Sequence, residues 1–425
     1  MKVAIIGTGI AGNVAAYHLR EQHDITVYEA NAYVGGHTNT HDIDTANGTL
    51  PVDTGFIVFN DRTYPNFIKL LDELEVESLD SEMSFSVRRD RPSLEYNGST
   101  LDGLFAQRRN VVRPSFLKMI RDILRFNREA PLFLEEQRYD VTLGEFLDAG
   151  GYGRGFANDY LVPMGAAIWS AEPVMMREMP AHFFIRFFRN HGLLSLDDRP
   201  VWRVIKGGSR EYVRRLVEGH RDRIRLNCPV HSVERRPDGV VIRAEGCEAE
   251  HFDAVFMACH SDQALALLSD QTESESEVLG AIPYQPNIAV LHTDDRMMPK
   301  RQRAWASWNY HMAGGDNERV TLTYHMNRLQ RLTCDEQYFV TLNSAEMIDP
   351  ARIIAEIDYS HPVFTAEGVN AQSRQEELNG ANRTYFCGAY WRYGFHEDGV
   401  VSALSALKHF EQMTDDAQQY FQRAS

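Results

Sequence analysis

Three glycines near the start of the chain, Gly7, Gly9 and Gly12, have the spacing of a loop that binds nucleotide phosphates. The first permits a tight turn, the second lets the backbone approach a pyrophosphate, and the third allows a helix to pack closely on a strand. Ile10 and Ala11 begin that helix, whose free N–H groups and positive dipole end attract phosphate oxygens. The glycine spacing alone is weak evidence for nucleotide binding, so the prediction depends on the elements around it.

The elements on either side of this loop are those that a dinucleotide-binding unit requires. Residues 3–6 form a continuous apolar run, typical of a parallel strand that is covered on both faces. Helical spacing follows from about residue 10 to residue 20, and a second strand is predicted over residues 25–28. Glu29 ends that strand 22 positions after Gly7, where a carboxylate can accept hydrogen bonds from ribose hydroxyls.

A second pair of glycines, Gly35 and Gly36, follows Glu29 closely. A backbone that runs along an extended dinucleotide, past the pyrophosphate toward an isoalloxazine ring, uses such a pair, whereas a nicotinamide dehydrogenase does not need it. An ordinary turn is the alternative. We therefore predict non-covalently bound FAD as the cofactor.

These motifs resemble the flavin-containing amine oxidase and phytoene desaturase superfamily, which also includes protoporphyrinogen oxidase. Over the whole chain the resemblance implies that Gly388 meets the pyrophosphate and ribityl chain, that Val230 meets adenine, and that the amides of residues 399–401 face the flavin N1–C2=O edge. Two positions depart from the usual pattern, with His37 in place of Arg and Ala389 in place of an acid. The predicted cofactor-binding residues are Gly7, Gly9, Ile10, Ala11, Gly12, Glu29, Ala30, Gly35, Gly36, His37, Thr38, Val230, Gly388, Ala389, Asp398, Gly399 and Val400.

Further segments look like one bacterial subgroup of that superfamily. Its members are predicted NAD/FAD-binding proteins that are associated with cyclopropane-fatty-acyl-phospholipid synthases. The resemblance implies, by association, chemistry on fatty acyl chains. The segments are residues 35–38, 258–262, 291–294, 305–310 and 394–399.

Three functions are compatible with these motifs. The first is an FAD-dependent oxidoreductase that oxidises or desaturates a lipid acyl or polyisoprenoid chain by hydride transfer to flavin N5. The second is an amine oxidase for a small or polyamine substrate, although the lysine-linked water typical of those enzymes has no clear counterpart in this sequence. The third is a non-catalytic, flavin-bound accessory protein of a lipid-modifying methyltransferase. We favour the first.

His396 and Tyr393 are the predicted catalytic residues. His396 lies three residues before Gly399, near the position where amine oxidases place an aromatic residue against the flavin. Its imidazole could accept a proton or form a wall of the flavin site, and a hydrogen-bonded structural histidine is an equal alternative. Three further residues are predicted to line a substrate pocket, His292, Trp308 and Trp391.

The net charge of −16 argues against a nucleic-acid partner, because phosphate binding needs a basic field. Residues 108–128 contrast with this charge because they are rich in arginine and have helical amphipathic spacing. We predict a peripheral contact with an anionic membrane there, with a solvated charged face as the alternative. The apolar face of this helix is predicted to carry Phe116, Leu117, Ile120, Ile123 and Leu124.

The five scattered cysteines, which lack zinc-site or disulfide-framework spacing, are typical of a reduced, cytoplasmic protein without a metal site. No apolar run approaches the roughly 18 residues of a membrane-spanning helix. A lipid-like small molecule is the expected partner, and the sequence does not indicate an oligomeric state.

The order of the predicted elements indicates an α/β fold with two parts. A discontinuous, Rossmann-like FAD-binding domain is predicted from residues 1–75, 200–280 and 375–425. A mixed α+β substrate domain is predicted from residues 76–199 and 281–374, lying over the flavin.

Overall fold

The structure is a computed structural model that describes residues 1–46, 48–136, 138–195, 197–313 and 320–424, with side chains described as far as residue 413. The predicted domain segments also include positions that lie outside the described residues, namely 47, 137, 196, 314–319 and 425.

Strands and helices occur along the whole described chain, in part as runs of several strands or several helices. The strands are β1 (Lys2–Ile6), β2 (Asp24–Tyr28), β3 (Thr40–Thr45), β4 (Gly48–Asp53), β5 (Phe59–Asn60), β6 (Ser78–Asp80), β7 (Phe85–Arg89), β8 (Leu94–Asn97), β9 (Trp202–Ile205), β10 (Ile224–Arg225), β11 (Val230–Arg236), β12 (Gly239–Ala244), β13 (Glu250–Phe252), β14 (Ala254–Met257), β15 (Tyr284–His292), β16 (Trp308–Met312), β17 (Val320–His325), β18 (Phe339–Leu342), β19 (Ile353–Pro362) and β20 (Thr384–Phe386). The helices are α1 (Ile10–Leu19), α2 (Pro65–Glu73), α3 (Leu101–Leu104), α4 (Pro114–Phe133), α5 (Leu143–Ala149), α6 (Arg154–Phe156), α7 (Val162–Trp169), α8 (Pro173–Glu178), α9 (Ala181–Asn190), α10 (Arg210–Leu216), α11 (Ser261–Leu267), α12 (Glu273–Gly280), α13 (Met326–Leu329), α14 (Ala366–Gln372), α15 (Gln375–Leu378) and α16 (His396–Ala424).

A five-stranded parallel sheet in the order β10-β2-β1-β14-β20 forms the first layer. Its central strands are continuous apolar runs because both faces are covered, as the buried residues of β1 and β14 show. Helices α1, α10 and α16 pack on one face, while the β11-β12-β13 sheet and α11 pack on the other. The predicted α/β class with a Rossmann-like sheet is confirmed.

A seven-stranded sheet in the order β19-β15-β18-β17-β16-β7-β8 forms a second layer, in which only the β16–β7 pairing is parallel. Helices α4 to α9 share the largest hydrophobic core with it. Its strands all fall within residues 76–199 and 281–374, and those of the parallel sheet fall outside these ranges. The exact domain boundaries stay a prediction.

A buried carboxylate, Asp53, joins three distant parts of the chain. It accepts hydrogen bonds from the backbone N–H and hydroxyl of Ser209, at 2.9 and 2.8 Å, and from the amide nitrogen of Gln330 at 2.8 Å. Thr40 donates a further bond from its hydroxyl. Burial raises the pKa of Asp53 to about 6, and these bonds oppose that shift because they favour the charged form. The network fixes the turn before α10 against the β3–β4 hairpin.

The basic segment at residues 108–128 differs in one respect from the predicted amphipathic helix. Phe116 is buried, but Leu117 and Leu124 are 44% and 51% exposed, so the predicted apolar face is divided between core and surface. Helix α4 explains this, because residues 116 and 117 lie 100° apart around its axis and only one can face the core. Among the described residues, no helix has the length and apolar character needed to cross a bilayer.

Candidate active site

The glycine loop between β1 and α1 is crowded on one side and open on the other. Gly7 has a φ of +104°, which favours glycine, and a Cβ at Gly12 would overlap the carbonyl oxygen of Gly7 and lie 3.1 Å from the Cβ of Ala258. A Cβ at Gly9 would meet no atom within 4 Å, because Gly9 faces a cavity. The loop therefore offers bare backbone to a ligand at the N-terminus of α1, as a phosphate cradle requires.

The second glycine pair, Gly35 and Gly36, lies against the glycine loop on the same side of the cavity. A Cβ at Gly36 would lie 3.2 Å from the Cα of Gly9, and Gly36 has a φ of +58°. The N–H of Gly35 donates to the hydroxyl of Thr8 at 3.2 Å. The two glycine segments thus form one continuous surface, which fits the extended dinucleotide that the sequence predicts.

Glu29 lies buried at the end of β2 and lines the same cavity. Its carboxylate accepts hydrogen bonds from the backbone N–H and hydroxyl of Thr8, and from the backbone N–H and amide nitrogen of Asn31 at 2.8 and 3.0 Å. These four bonds use the acceptor sites of the carboxylate. A ribose hydroxyl bound to Glu29 would therefore share or replace one of them.

A single cavity of about 1370 Å³ is lined by residues of both main sheets. This volume exceeds the roughly 300–1,000 Å³ of an ordinary small-molecule pocket, so it can hold a cofactor together with a substrate. The predicted cofactor residues that line it are Gly7, Gly9, Ile10, Ala11, Glu29, Ala30, Gly35, Gly36, His37, Val230, Gly388 and Ala389.

The start of α16 differs in detail from the arrangement of free amides that the sequence predicts. The helix begins at His396, and the N–H of Gly399 donates to the carbonyl of Phe395 at 3.1 Å, so it is not free for a flavin. Asp398 accepts hydrogen bonds from the backbone N–H groups of Phe395 and Tyr393, at 2.9 and 3.2 Å. Burial raises the pKa of Asp398 to about 7. The carboxylate thus holds the turn before the helix and does not line the cavity.

Four other predicted cofactor residues also lie outside the cavity lining. Gly399 packs against Ile10, since a Cβ there would lie 2.5 Å from its Cγ2. Val400 belongs to the core beside the parallel sheet, and Gly12 permits the close packing described above. The hydroxyl of Thr38 forms hydrogen bonds with the buried hydroxyl of Tyr212 and with the imidazole of His396. The contribution of these four residues to cofactor binding stays a prediction.

His396 lines the cavity, with its Nε2 directed into the protein. This nitrogen lies 3.0 Å from both the hydroxyl of Thr38 and that of Tyr212, and the ring stacks on Phe56 with 3.4 Å between centroids. Burial lowers the pKa of His396 to about 3, because it disfavours the imidazolium form. The ring is therefore neutral at physiological pH, and this bonding favours a fixed wall over a proton acceptor.

Tyr393 and Trp308 also line the cavity. The indole N–H of Trp169 donates to the carbonyl of Tyr393 at 3.2 Å and fixes the loop before α16. The buried Nε1 of Trp308 has no hydrogen-bond partner in the described protein, so it can donate to a bound molecule. The wall around them is largely apolar and aromatic, and includes Phe56, Ile57, Phe85, Met164, Ile168, Trp169, Phe187, Trp202, Tyr324 and Phe364.

Two predicted pocket residues lie elsewhere. His292 is fully buried in β15, where its Nε2 lies 2.7 Å from the hydroxyl of Thr341 and its Nδ1 accepts from the N–H of Asp294 at 3.0 Å. Trp391 is buried in the core on the far face of the parallel sheet. Neither lines the cavity, so the structure does not bring them to the other predicted pocket residues, and their role in substrate binding stays a prediction. In the described parts of the chain, no group of three or more His, Cys, Asp or Glu residues could hold a metal ion.

Tyr359 and His361 line the cavity but are not among the site residues predicted from the sequence. A usable signal existed, because residues 353, 355, 357, 359 and 361 alternate along one strand and share a face. Phe187 could have been inferred from the aromatic run at residues 183–189, which forms α9.

A family model for flavin-containing amine oxidoreductases matches residues 10–319, well over half of the chain. The chain belongs to this family. It is an FAD-dependent oxidoreductase, and the predicted superfamily and cofactor are confirmed. When bound, FAD supplies the hydride acceptor, and the glycine loop, Glu29 and the second glycine pair would hold it.

Several solved structures share the fold. A fatty acid isomerase from P. acnes has 16% sequence identity and a TM-score of 0.70, covering 96% of this chain and 98% of that one. A putative protoporphyrinogen oxidase from Exiguobacterium sp. 255-15 has 16% identity and a TM-score of 0.69, covering 97% and 99%. Cyclohexylamine oxidase from Brevibacterium oxydans IH-35A has 16% identity and a TM-score of 0.68, with the same coverage. The comparison with curated proteins found no significant match.

Two alanine variants separate the packing role of the loop from its binding role. Gly12→Ala forces α1 away from Gly7, so we expect the free energy of unfolding to fall by about 1–3 kcal/mol. Gly9→Ala meets no protein atom, so the melting temperature of the apoprotein should not change. Its Cβ occupies space that the pyrophosphate needs, and FAD affinity should fall by at least about tenfold, or about 1.4 kcal/mol. Thermal unfolding and fluorescence titration measure the two effects, and wild-type FAD affinity in Gly9→Ala would remove the loop from the cofactor site.

Proposed function

We propose that this enzyme oxidises or desaturates a lipid acyl or polyisoprenoid chain, with a hydride passing from a C–H bond to flavin N5. The observation that carries the proposal is the apolar, aromatic wall of the cavity beyond the glycine loop. Such a wall stabilises a hydrocarbon chain by removing its surface from water, at about 25 cal/mol per Å².

The acidic groups of the cavity support a lipid over an amine. Three carboxylates line it, and Glu29 is fully bonded by the protein. Asp80 and Asp358 are both exposed, and Asp80 pairs with Arg203. The lining therefore offers a polyamine no buried carboxylate with unused acceptor sites to pair with its second ammonium group. An amine oxidase remains the second candidate and is an outcome of the test below.

Two resemblances support the same proposal. Segments such as residues 35–38 and 394–399 look like the subgroup associated with cyclopropane-fatty-acyl-phospholipid synthases, and one structure of the same fold is named a fatty acid isomerase. We place Tyr393, Trp308 and His396 at the substrate end of the cavity and keep the cavity-lining glycines, Glu29, Ala30, His37, Val230 and Ala389 as the cofactor residues.

Anaerobic reduction of the bound flavin tests the substrate class. Long-chain fatty acids or phospholipids should bleach the visible absorbance of the oxidised flavin, because a hydride reaches N5, while putrescine and cyclohexylamine should not. Dithionite serves as the control for a reducible flavin. Bleaching by the amines alone would favour the amine oxidase, and bleaching by neither would favour the flavin-bound accessory protein.

The role of His396 is tested by His396→Ala with the best substrate. If the imidazole accepts a proton in the reaction, kcat falls by about 10²-fold or more. Because its Nε2 is bonded to Thr38 and Tyr212, we expect instead a few-fold loss, with KM raised and an unchanged pH profile. Tyr212→Phe, which removes one of these bonds and keeps the ring, is the matched control.

We also propose that the protein is cytoplasmic and docks on an anionic membrane through a Leu–Arg surface. We define this surface as Leu101, Val111, Val112, Leu117, Leu124 and Leu132 together with Arg108, Arg121 and Arg128. The six apolar residues are 44–79% exposed. Residues 117, 121, 124 and 128 follow one face of α4, so leucine and arginine alternate along it.

One end of the Leu–Arg surface, at Leu101, lies next to exposed residues of the cavity lining. Gly98 and Ser99 are exposed and line the cavity, and Leu101, 78% exposed, begins α3 two residues after Ser99. A lipid leaving a bilayer at this surface would enter the cavity without crossing water. The contrast between this basic surface and a net charge of −16 favours an anionic membrane as the occupant.

Co-sedimentation with vesicles tests the membrane contact. Wild type should bind vesicles rich in anionic phospholipid and bind neutral ones weakly. Each basic residue contributes about 1 kcal/mol, so Arg121→Ala with Arg128→Ala should weaken binding by roughly 30-fold. Leu117→Asp with Leu124→Asp should abolish binding, whereas Ile354→Asp, at an exposed apolar residue of β19, should leave it unchanged. Equal binding of wild type and the leucine variant would refute the contact.

A further inference from the structure

Three histidines from distant parts of the chain meet in the cavity, His37, His260 and His361. The ring centroid of His37 lies 5.1 Å from that of His361 and 6.3 Å from that of His260. Tyr359 stacks on His37 at 4.7 Å, and Tyr284 stacks on His260 at 4.6 Å. The cluster is held in place by packing on two strands of the seven-stranded sheet.

The cluster lies at the phosphate end of the cavity. His37 directly follows Gly36, which packs on Gly9 of the phosphate loop. His260 follows β14, the neighbour of β1, only two residues after Ala258, whose carbonyl oxygen would lie 2.8 Å from a Cβ at Gly7. The imidazoles therefore stand next to the backbone that approaches the pyrophosphate.

A chain of hydrogen bonds fixes the protonation site of His361. The backbone N–H of Ile288 donates to Oδ1 of Asn343 at 2.9 Å, which leaves the Asn343 amide nitrogen to donate to Oδ1 of Asn287 at 2.7 Å. The Asn287 amide nitrogen then donates to Nδ1 of His361 at 2.8 Å. Because Nδ1 accepts, the neutral ring carries its proton on Nε2, away from Asn287.

Few permanent positive charges line the cavity around the cluster. In the described cavity lining the only permanent cations are Arg199 and Arg331, which belong to loops of other segments, and no lysine is present. The buried Nε2 of His37 has no hydrogen-bond partner in the described protein. A ligand with two negative phosphates thus meets imidazoles where other proteins often place a guanidinium.

We propose that His37, His260 and His361 form a proton-dependent site for the pyrophosphate of the cofactor, in which FAD binding takes up a proton from solvent onto the cluster. The proton converts one imidazole to imidazolium, whose N–H groups donate to phosphate oxygens. The site thereby acquires its positive charge only when the diphosphate is present.

Burial accounts for the state of the cluster before FAD binds. It lowers the pKa of His361 to about 4, that of His37 well below its ordinary value, and that of His260 as well. The facing phenols of Tyr359, Tyr284 and Tyr33 and the thiol of Cys259 stay neutral, because burial raises the pKa of each. The carboxylates near the cluster are Glu29 and Asp262, and His396 is a further neutral imidazole.

The sign of the effect follows from linkage. Two phosphates raise the pKa of the imidazoles in the complex above the values in the free protein. Affinity for FAD therefore increases as the pH falls through the pKa of the complex, by up to about tenfold per pH unit for each proton taken up. The increase stops below the pKa of the free protein.

Titration calorimetry of the apoprotein with FAD, in two buffers of different ionisation enthalpy at neutral pH, measures the proton count. We expect uptake of about one proton by wild type. His37→Arg should bind FAD with reduced uptake, because the charge is then permanent. His251→Gln, at a half-exposed histidine that pairs with Asp238 away from the cavity, should keep the wild-type uptake.

Wild-type binding with no proton uptake would overturn the proposal, whatever the variants show. An uptake that persists in the triple variant His37→Gln, His260→Gln, His361→Gln would also overturn it. Circular dichroism and thermal unfolding of each apoprotein verify that it is folded. Failure of wild type to bind FAD would instead contradict the cofactor assignment, so the two failures are distinguishable.

Discussion

The absence of space around Gly7 and Gly12 is the constraint on which the rest of the structure depends. A side chain at either position would strike backbone, of Gly7 itself or of Ala258 at the end of β14. The first helix can therefore lie against two parallel strands at once, and its N-terminus reaches the carboxyl edge of the sheet. The position of that edge decides where a dinucleotide can bind.

The remaining segments are arranged around this edge. The sheet brings in β10, β14 and β20 from far along the chain, and the cavity runs from their carboxyl ends toward the seven-stranded sheet. Asp53 holds the hairpin, the turn before α10 and the loop at Gln330 together, so cofactor and substrate walls keep a fixed relation. This buried polar network therefore fixes how the three segments lie relative to one another, which packing in the apolar cores does not determine by itself.

The sequence predicted the phosphate loop, the α/β class and the superfamily because those features depend on neighbouring residues. The roles of Asp398 and Gly399 toward the cofactor stay a prediction, and the start of α16 is set by bonds to Tyr393 and Phe395, which a glycine pattern does not reveal. His292 does not line the cavity, because a strand has two faces and only long-range pairing decides which one meets the core. The sequence shows the alternation that places Tyr359 and His361 on one face of a strand. It does not show which strand pairs with theirs, so their position in the cavity could not be predicted.

The division of the cavity wall between two sheets has an evolutionary consequence. The predicted cofactor residues lie on short stretches where glycine or a single carboxylate tolerates little change, while α7, the segment of residues 199–202 and Trp308 of β16 contribute ordinary packed side chains to the rest of the wall. Substitutions on the latter elements can reshape the space for a substrate without disturbing the dinucleotide cradle. A lineage with this fold can therefore explore new substrates in small steps while it retains its redox chemistry.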